Sequence, residues 1–129
     1  MSARYRAGVA GLGLLLSCLM VSPDIAAHAR LVRSVPADDA ELSVAPEGVV
    51  LTFNESPEHR FSAVELRDAT GKVLATPAMR KGETPDSLVL PLPEDLSAGA
   101  YAVQYRVLSV DGHVVEGRFG FRIGARAAP

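Results

Sequence analysis

The feature that most constrains this chain is a period-two alternation of apolar and polar residues that recurs from Val49 to Ile123. Val49, Leu51 and Phe53 fall on one side of a first clear strand, and Val64 and Leu66 on one side of a second. Leu88, Leu90 and Leu92 alternate before Pro93 ends their run. Two longer runs follow the same rule: Tyr101, Val103, Tyr105 and Val107 oppose Ala102, Gln104 and Arg106, and Val115, Phe119, Phe121 and Ile123 oppose Glu116, Arg118 and Arg122. Successive side chains of a strand point to opposite faces, so each run predicts a strand with one buried and one wet face. Asp68-Ala69-Thr70-Gly71 reads as a turn into Lys72-Val73-Leu74. Nine prolines and eleven glycines punctuate the chain, and no convincing amphipathic helix interrupts the strands. The expectation is an all-β domain over 28–124, an antiparallel Greek-key β-sandwich or open barrel of immunoglobulin-like type with about seven strands, followed by a loose tail over 125–129. About 100 residues can bury roughly two-thirds of their unfolded surface, enough for one core.

The N-terminus predicts export. Arg4 and Arg6 precede an uncharged apolar run from Ala7 to Val21, then Ser22-Pro23 and Ala26-Ala27, the order of a secretory signal peptide. The run is shorter than the roughly 20 residues that cross a bilayer as a helix. Residues 1–27 are therefore expected to be removed. Small residues are wanted one and three positions before the cut. Cutting after Ala27 meets this with Ala27 and, loosely, Ile25, and leaves His28 first; cutting after Ala29 matches better and discards His28. Local rules leave both open. Leu15-Leu16-Ser17-Cys18 resembles a lipid-attachment site, but Leu16 is large for its position. Cys18, the only cysteine, lies inside the signal, so the remaining chain has neither disulfide nor thiolate ligand. The cut also takes Arg4, Arg6 and Asp24 from the 13 basic and 15 acidic side chains, leaving 11 and 14, a net charge of −3. Charges of both signs are dispersed, which argues against a nucleic-acid partner and against a membrane surface.

Past the signal the chain offers His28, His59, His113 and the single methionine Met79, so a transition-metal site here must use imidazole and carboxylate, with the terminal amine as a further candidate donor. A histidine in first position can grip one ion through its α-amino nitrogen and ring Nδ1, and a second imidazole opposite gives three nitrogens in a flattened T. That nitrogen-rich tetragonal geometry suits Cu(II). Asp111-Gly112-His113 offers the second imidazole beside a carboxylate, with a glycine that lets the backbone turn. The competing reading is a plain Asp-Gly turn, with His113, which shares parity with Val115 and Phe119, as a core-edge histidine hydrogen-bonded to a neighbour. His59, in the polar stretch Ser56-Pro57-Glu58-His59-Arg60, is assigned to solvent.

His28-Ala29-Arg30-Leu31-Val32, Ser34-Val35-Pro36-Ala37-Asp38, Leu51-Thr52-Phe53-Asn54-Glu55 and Ser109-Val110-Asp111-Gly112-His113 followed by Gly117-Arg118-Phe119 together resemble the CopC family of periplasmic copper-binding proteins. The resemblance runs through essentially the whole chain after the signal, and it favours cleavage after Ala27. It implies a copper carrier or buffer, not an enzyme, that serves copper homeostasis or resistance. One Cu(II) would be held by the N-terminal amine and imidazole of His28, by His113 and by Asp111, with Glu55 as a weak ligand or a hydrogen-bond acceptor beside the site. It also suggests work beside an inner-membrane copper transporter of the CopD type, expected here as a separate chain. Some members carry a methionine-rich loop suited to Cu(I). This chain has only Met79 there, so Cu(II) alone is expected. The Asn54-Glu55-Ser56 glycosylation sequon is then accidental. Two alternatives are carried along. One is a copper monooxygenase built on an N-terminal histidine brace, disfavoured by the absence of tryptophan and the few aromatics. The other is an exported interaction domain with structural histidines.

Overall fold

The computed structural model describes residues 30–125, so the signal region, the cleavage site, His28 and residues 126–129 lie outside the described residues. Among the described residues nine strands run in chain order: β1 Leu31–Val35, β2 Ala40–Leu42, β3 Gly48–Phe53, β4 Ala63–Arg67, β5 Val73–Leu74, β6 Arg80–Lys81, β7 Ser87–Pro91, β8 Gly99–Leu108 and β9 Val114–Ile123. A single 3-10 turn, His59–Phe61, precedes β4. No helix among the described residues is long and apolar enough to cross a membrane.

The strands form two sheets, one ordered β1-β3-β7-β6 and the other β2-β9-β8-β4-β5. Apart from β2 and β5, these are the A-B-E-D and C-F-G sheets of an immunoglobulin-type sandwich. The count exceeds the seven or so expected because β1 carries no regular alternation and β2 and β6 are only two or three residues long; β5 is the strand into which the turn at 68–71 leads. β2 also departs from the antiparallel expectation, since it pairs parallel with β9, Ala40 opposite Phe121 and Leu42 opposite Ile123. The chain reaches that edge by crossing between sheets after Val35. Asp39, with φ 63°, donates its N–H to the Gly120 carbonyl at 2.7 Å, and Asp38 Oδ1 accepts the Gly120 N–H at 3.0 Å. Aspartate tolerates the left-handed conformation better than most side chains, which accounts for an acidic pair at this corner.

The predicted inward faces meet between the sheets. Val49, Leu51, Phe53, Leu66, Val103 and Val107 are wholly buried, with Leu88, Leu90, Phe119, Phe121 and Ile123 around them. Aromatic rings join the layers edge to face at Phe53–Tyr105, with centroids 5.7 Å apart at 74°. Burial also pushes the Tyr105 phenol up from its ordinary value. The outer edge strand β6 consists of Arg80 and Lys81, both exposed, and charge at an unpaired edge discourages pairing with another chain.

The β8–β9 hairpin sets the frame, with ten consecutive antiparallel pairs from Gly99–Ile123 to Leu108–Val114. Its closed end carries the segment of chemical interest. Leu51→Ala, emptying a fully buried position in β3, is expected to cost about 2–5 kcal/mol in urea unfolding, whereas Val44→Ala, at a position 74% exposed, should change stability by less than about 0.5 kcal/mol. Equal effects would mean that the core is not where the sheets place it.

Candidate metal centre

Ser109 to His113 connect β8 to β9. Gly112 N–H donates to the Ser109 carbonyl at 2.9 Å and Ser109 N–H to the His113 carbonyl at 2.8 Å, closing a tight reversal. Gly112 has φ 89°, in the left-handed region. A Cβ there would meet nothing within 4 Å, so backbone conformation, not space, calls for glycine.

Asp111 spans the glycine. Its Oδ1 accepts the His113 backbone N–H at 3.1 Å and lies 3.1 Å from His113 Nδ1. The His113 backbone N–H, with the His113 ring behind it, holds the Asp111 carboxyl below its ordinary value against a smaller opposing effect of desolvation. A carboxylate oxygen can only accept, so a neutral ring turns Nδ1–H toward it and keeps its lone pair on Nε2. The His113 side chain is 54% exposed and that of Asp111 31%, so His113 does not pack into the core, while its contact with a neighbour in an Asp-Gly turn is as the competing reading expects.

Glu55 comes to the same place from the other sheet, just past the end of β3. Its Oε2 accepts the Ser109 hydroxyl at 2.7 Å, and Ser109 Oγ in turn accepts the Asp111 N–H at 3.4 Å. Glu55, Ser109, Asp111 and His113 thus lie on one hydrogen-bonded path. Ser109 was not singled out from the sequence. Its only signal was a small hydroxyl residue at the inward parity of β8, where Val107 precedes it, and it is 1% exposed. Neighbouring Asn54 accepts the Arg30 N–H on Oδ1 at 2.7 Å and donates its own N–H to the Arg30 carbonyl at 3.1 Å, so the described chain starts beside Glu55. His28 lies outside the described residues. Among the described residues no three histidine, cysteine, aspartate or glutamate side chains gather as a metal-holding group.

His59 departs from its assignment to solvent. It is half-buried, and its Nε2 lies 3.1 Å from the Met79 carbonyl, which can only accept, so that nitrogen carries a proton and is spent in a hydrogen bond. The Met79 side chain packs against the core.

The CopC domain profile matches residues 31–124. The chain belongs to the CopC family. It is 34% identical over 110 residues to Protein YobA of Escherichia coli K12, covering 84% of this chain and 89% of that protein. Among solved structures it resembles CopC from Methylosinus trichosporium OB3b, with TM-score 0.71 and 33% identity over 79% of this chain and 99% of that one. It also resembles PcoC, a methionine-rich copper resistance protein from Escherichia coli, with TM-score 0.67 and 32% identity over 75% and 99%. The family motifs read from the sequence fall at the sheet crossing after Val35, at the end of β3 and at the β8–β9 turn.

The depressed Asp111 carboxyl carries a sign that can be measured. Its hold on the His113 amide is fully present above the ordinary aspartate value of about 3.9 and is lost only as pH falls through the lower folded value. The His113 amide resonance should therefore titrate with a midpoint below about 3.9, and Asp111→Ala should speed exchange of that amide. A midpoint at or above the ordinary value would show that the bond does not form in solution.

Proposed function

We propose that this protein is a periplasmic carrier or buffer of Cu(II) in copper homeostasis or resistance. Removal of residues 1–27 leaves His28 first, and one Cu(II) is held by its amine and imidazole, by His113 and by Asp111. Glu55 assists from beside the site as a weak ligand or hydrogen-bond acceptor. The observation that carries this reading is the exposed Asp111–His113 turn, joined through Ser109 to Glu55, at the end of the sandwich where Asn54 anchors Arg30. His28 is two residues upstream of Arg30, a reach of about 7 Å at full extension. Relatives named for CopC and for copper resistance support copper as the cargo.

Nitrogen donors with a carboxylate, and no thiolate after residue 27, favour Cu(II) over Cu(I). The one thioether packs against the core, so Cu(I) would need donors from another molecule. A CopD-type membrane transporter, as a separate chain, is the partner this reading expects. The monooxygenase alternative asks for an aromatic platform beside the copper. Among the described residues the one exposed large aromatic side chain is Phe61, on the 3-10 turn, which favours holding copper over stacking a polysaccharide.

Protein exported and processed by a bacterial host should begin at His28 by intact mass and bind one Cu(II). His113→Ala should weaken binding at least a hundredfold in a competition assay, acetylation of the terminal amine should do likewise, and His59→Ala should change affinity less than about twofold. Affinity should fall as pH drops from about 8 to about 6, because amine and imidazole bind only when unprotonated. Equal losses from the two histidine variants, or binding indifferent to acid, would mean that the ligands are wrongly assigned.

A further inference from the structure

Resting on the copper reading above, we infer that Ser109 is a positioning residue: its hydroxyl clamps the Glu55 carboxylate to the Asp111–His113 turn, and this clamp fixes the copper-binding groups of the two sheets relative to each other. Ser109 is the last inward-facing residue of the β8 end and is 1% exposed, one of two buried polar side chains among the described residues. The other, Ser87 at the start of β7, bonds through its hydroxyl to Thr84 three residues earlier. Ser109 instead links two sheets. Its hydroxyl donates to Glu55 Oε2 at 2.7 Å and accepts the Asp111 N–H at 3.4 Å, while its backbone closes the turn through His113 and Gly112.

A second set of contacts holds the same two segments together. Ser109 pairs as an isolated antiparallel bridge with Pro57, two residues past Glu55. Glu58 N–H donates to the Leu108 carbonyl at 2.7 Å, and Ser62 Oγ accepts the Leu108 N–H at 3.1 Å. The backbone therefore brings the segment after β3 alongside the end of β8, and the Ser109 hydroxyl turns that approach into a directed contact with a carboxylate. A hydrogen bond to an ionised acceptor is stronger than a neutral one, and a buried hydroxyl gives it a fixed direction. With Oε2 taken by Ser109, Glu55 serves the site first as an anchor for the turn. Removing such a support ordinarily costs about 10–100-fold in metal affinity although the ligands themselves remain.

The test is a double-mutant cycle read by Cu(II) competition and by electron paramagnetic resonance on the processed protein. Ser109→Ala and Glu55→Ala should each weaken Cu(II) by about tenfold or more and shift the copper hyperfine coupling in the same way, and the double variant should be no worse than the weaker single. Ser109→Thr, which keeps the hydroxyl, should recover most of the affinity, whereas a purely structural serine would predict a change in melting temperature with the copper spectrum unchanged. Additive losses, or a Ser109→Ala variant that binds copper like the parent, would overturn the clamp while leaving the copper reading intact. A parent protein that binds no Cu(II) would overturn both. Should Ser109→Ala fail to fold, Glu55→Ala against Ser109→Thr probes the same contact from either end.

Discussion

The ten-pair register between β8 and β9 is the constraint on which the rest depends. A long antiparallel hairpin has no freedom to slip while Tyr101, Val103 and Val107 of β8 and Phe119, Phe121 and Ile123 of β9 face the core together, because a one-residue shift would turn the inward set of one strand to solvent. With the register fixed, the five residues of the connection have fixed ends. The turn bonds and the left-handed Gly112 then determine where Asp111 and His113 stand. The same hairpin supplies the edge for β2 on one side and for β4 on the other, so the five-stranded sheet is assembled around it.

The candidate centre is built where hydrogen bonds join the segment after β3 to the end of β8, not in the core that the sheets share. Phe53 ends β3 wholly buried against Tyr105, and the next two residues leave the sheet, Asn54 toward Arg30 and Glu55 toward Ser109. One strand end therefore anchors the start of the described chain and the β8–β9 turn together. The Leu51-Thr52-Phe53-Asn54-Glu55 motif combines these duties: its first and third residues fill the core, and its last two project polar groups toward the site.

Much of the architecture was legible because the alternation is clean wherever one face is buried. The inward residues read from β3, β4, β7 and β8 are those found between the sheets, apart from a half-buried Tyr105. The strands β1, β2 and β6 were not legible, since Leu31–Val35 shows no regular alternation and β2 and β6 are held by backbone pairing over two or three residues that show no period, whereas the turn read at Asp68 to Gly71 does lead into β5. The parallel pairing of β2 depends on a crossing between sheets, a long-range event with no local signature. At the site, Glu55, Asp111 and His113 were found by motif, and the structure gathers all three along one path. Ser109 escaped because its importance comes from a partner 54 residues away. His59 misled because a charged, proline-containing stretch reads as loop, while its ring nitrogen meets the Met79 carbonyl 20 residues away.

Exposure divides the site in a way that fits a carrier. Ser109, the supporting residue, is sealed at 1% exposure, whereas the His113 side chain is 54% open. A buried ligand set would retain an ion but admit no acceptor, and a set on a mobile loop would lose affinity to the cost of ordering it. Here the groups that face solvent sit on a closed turn whose bonds are already made, so binding has little left to organise. An acceptor can approach the same face without opening the sandwich. On the carrier reading proposed above, rigid support beneath accessible donors reconciles holding an ion with giving it up.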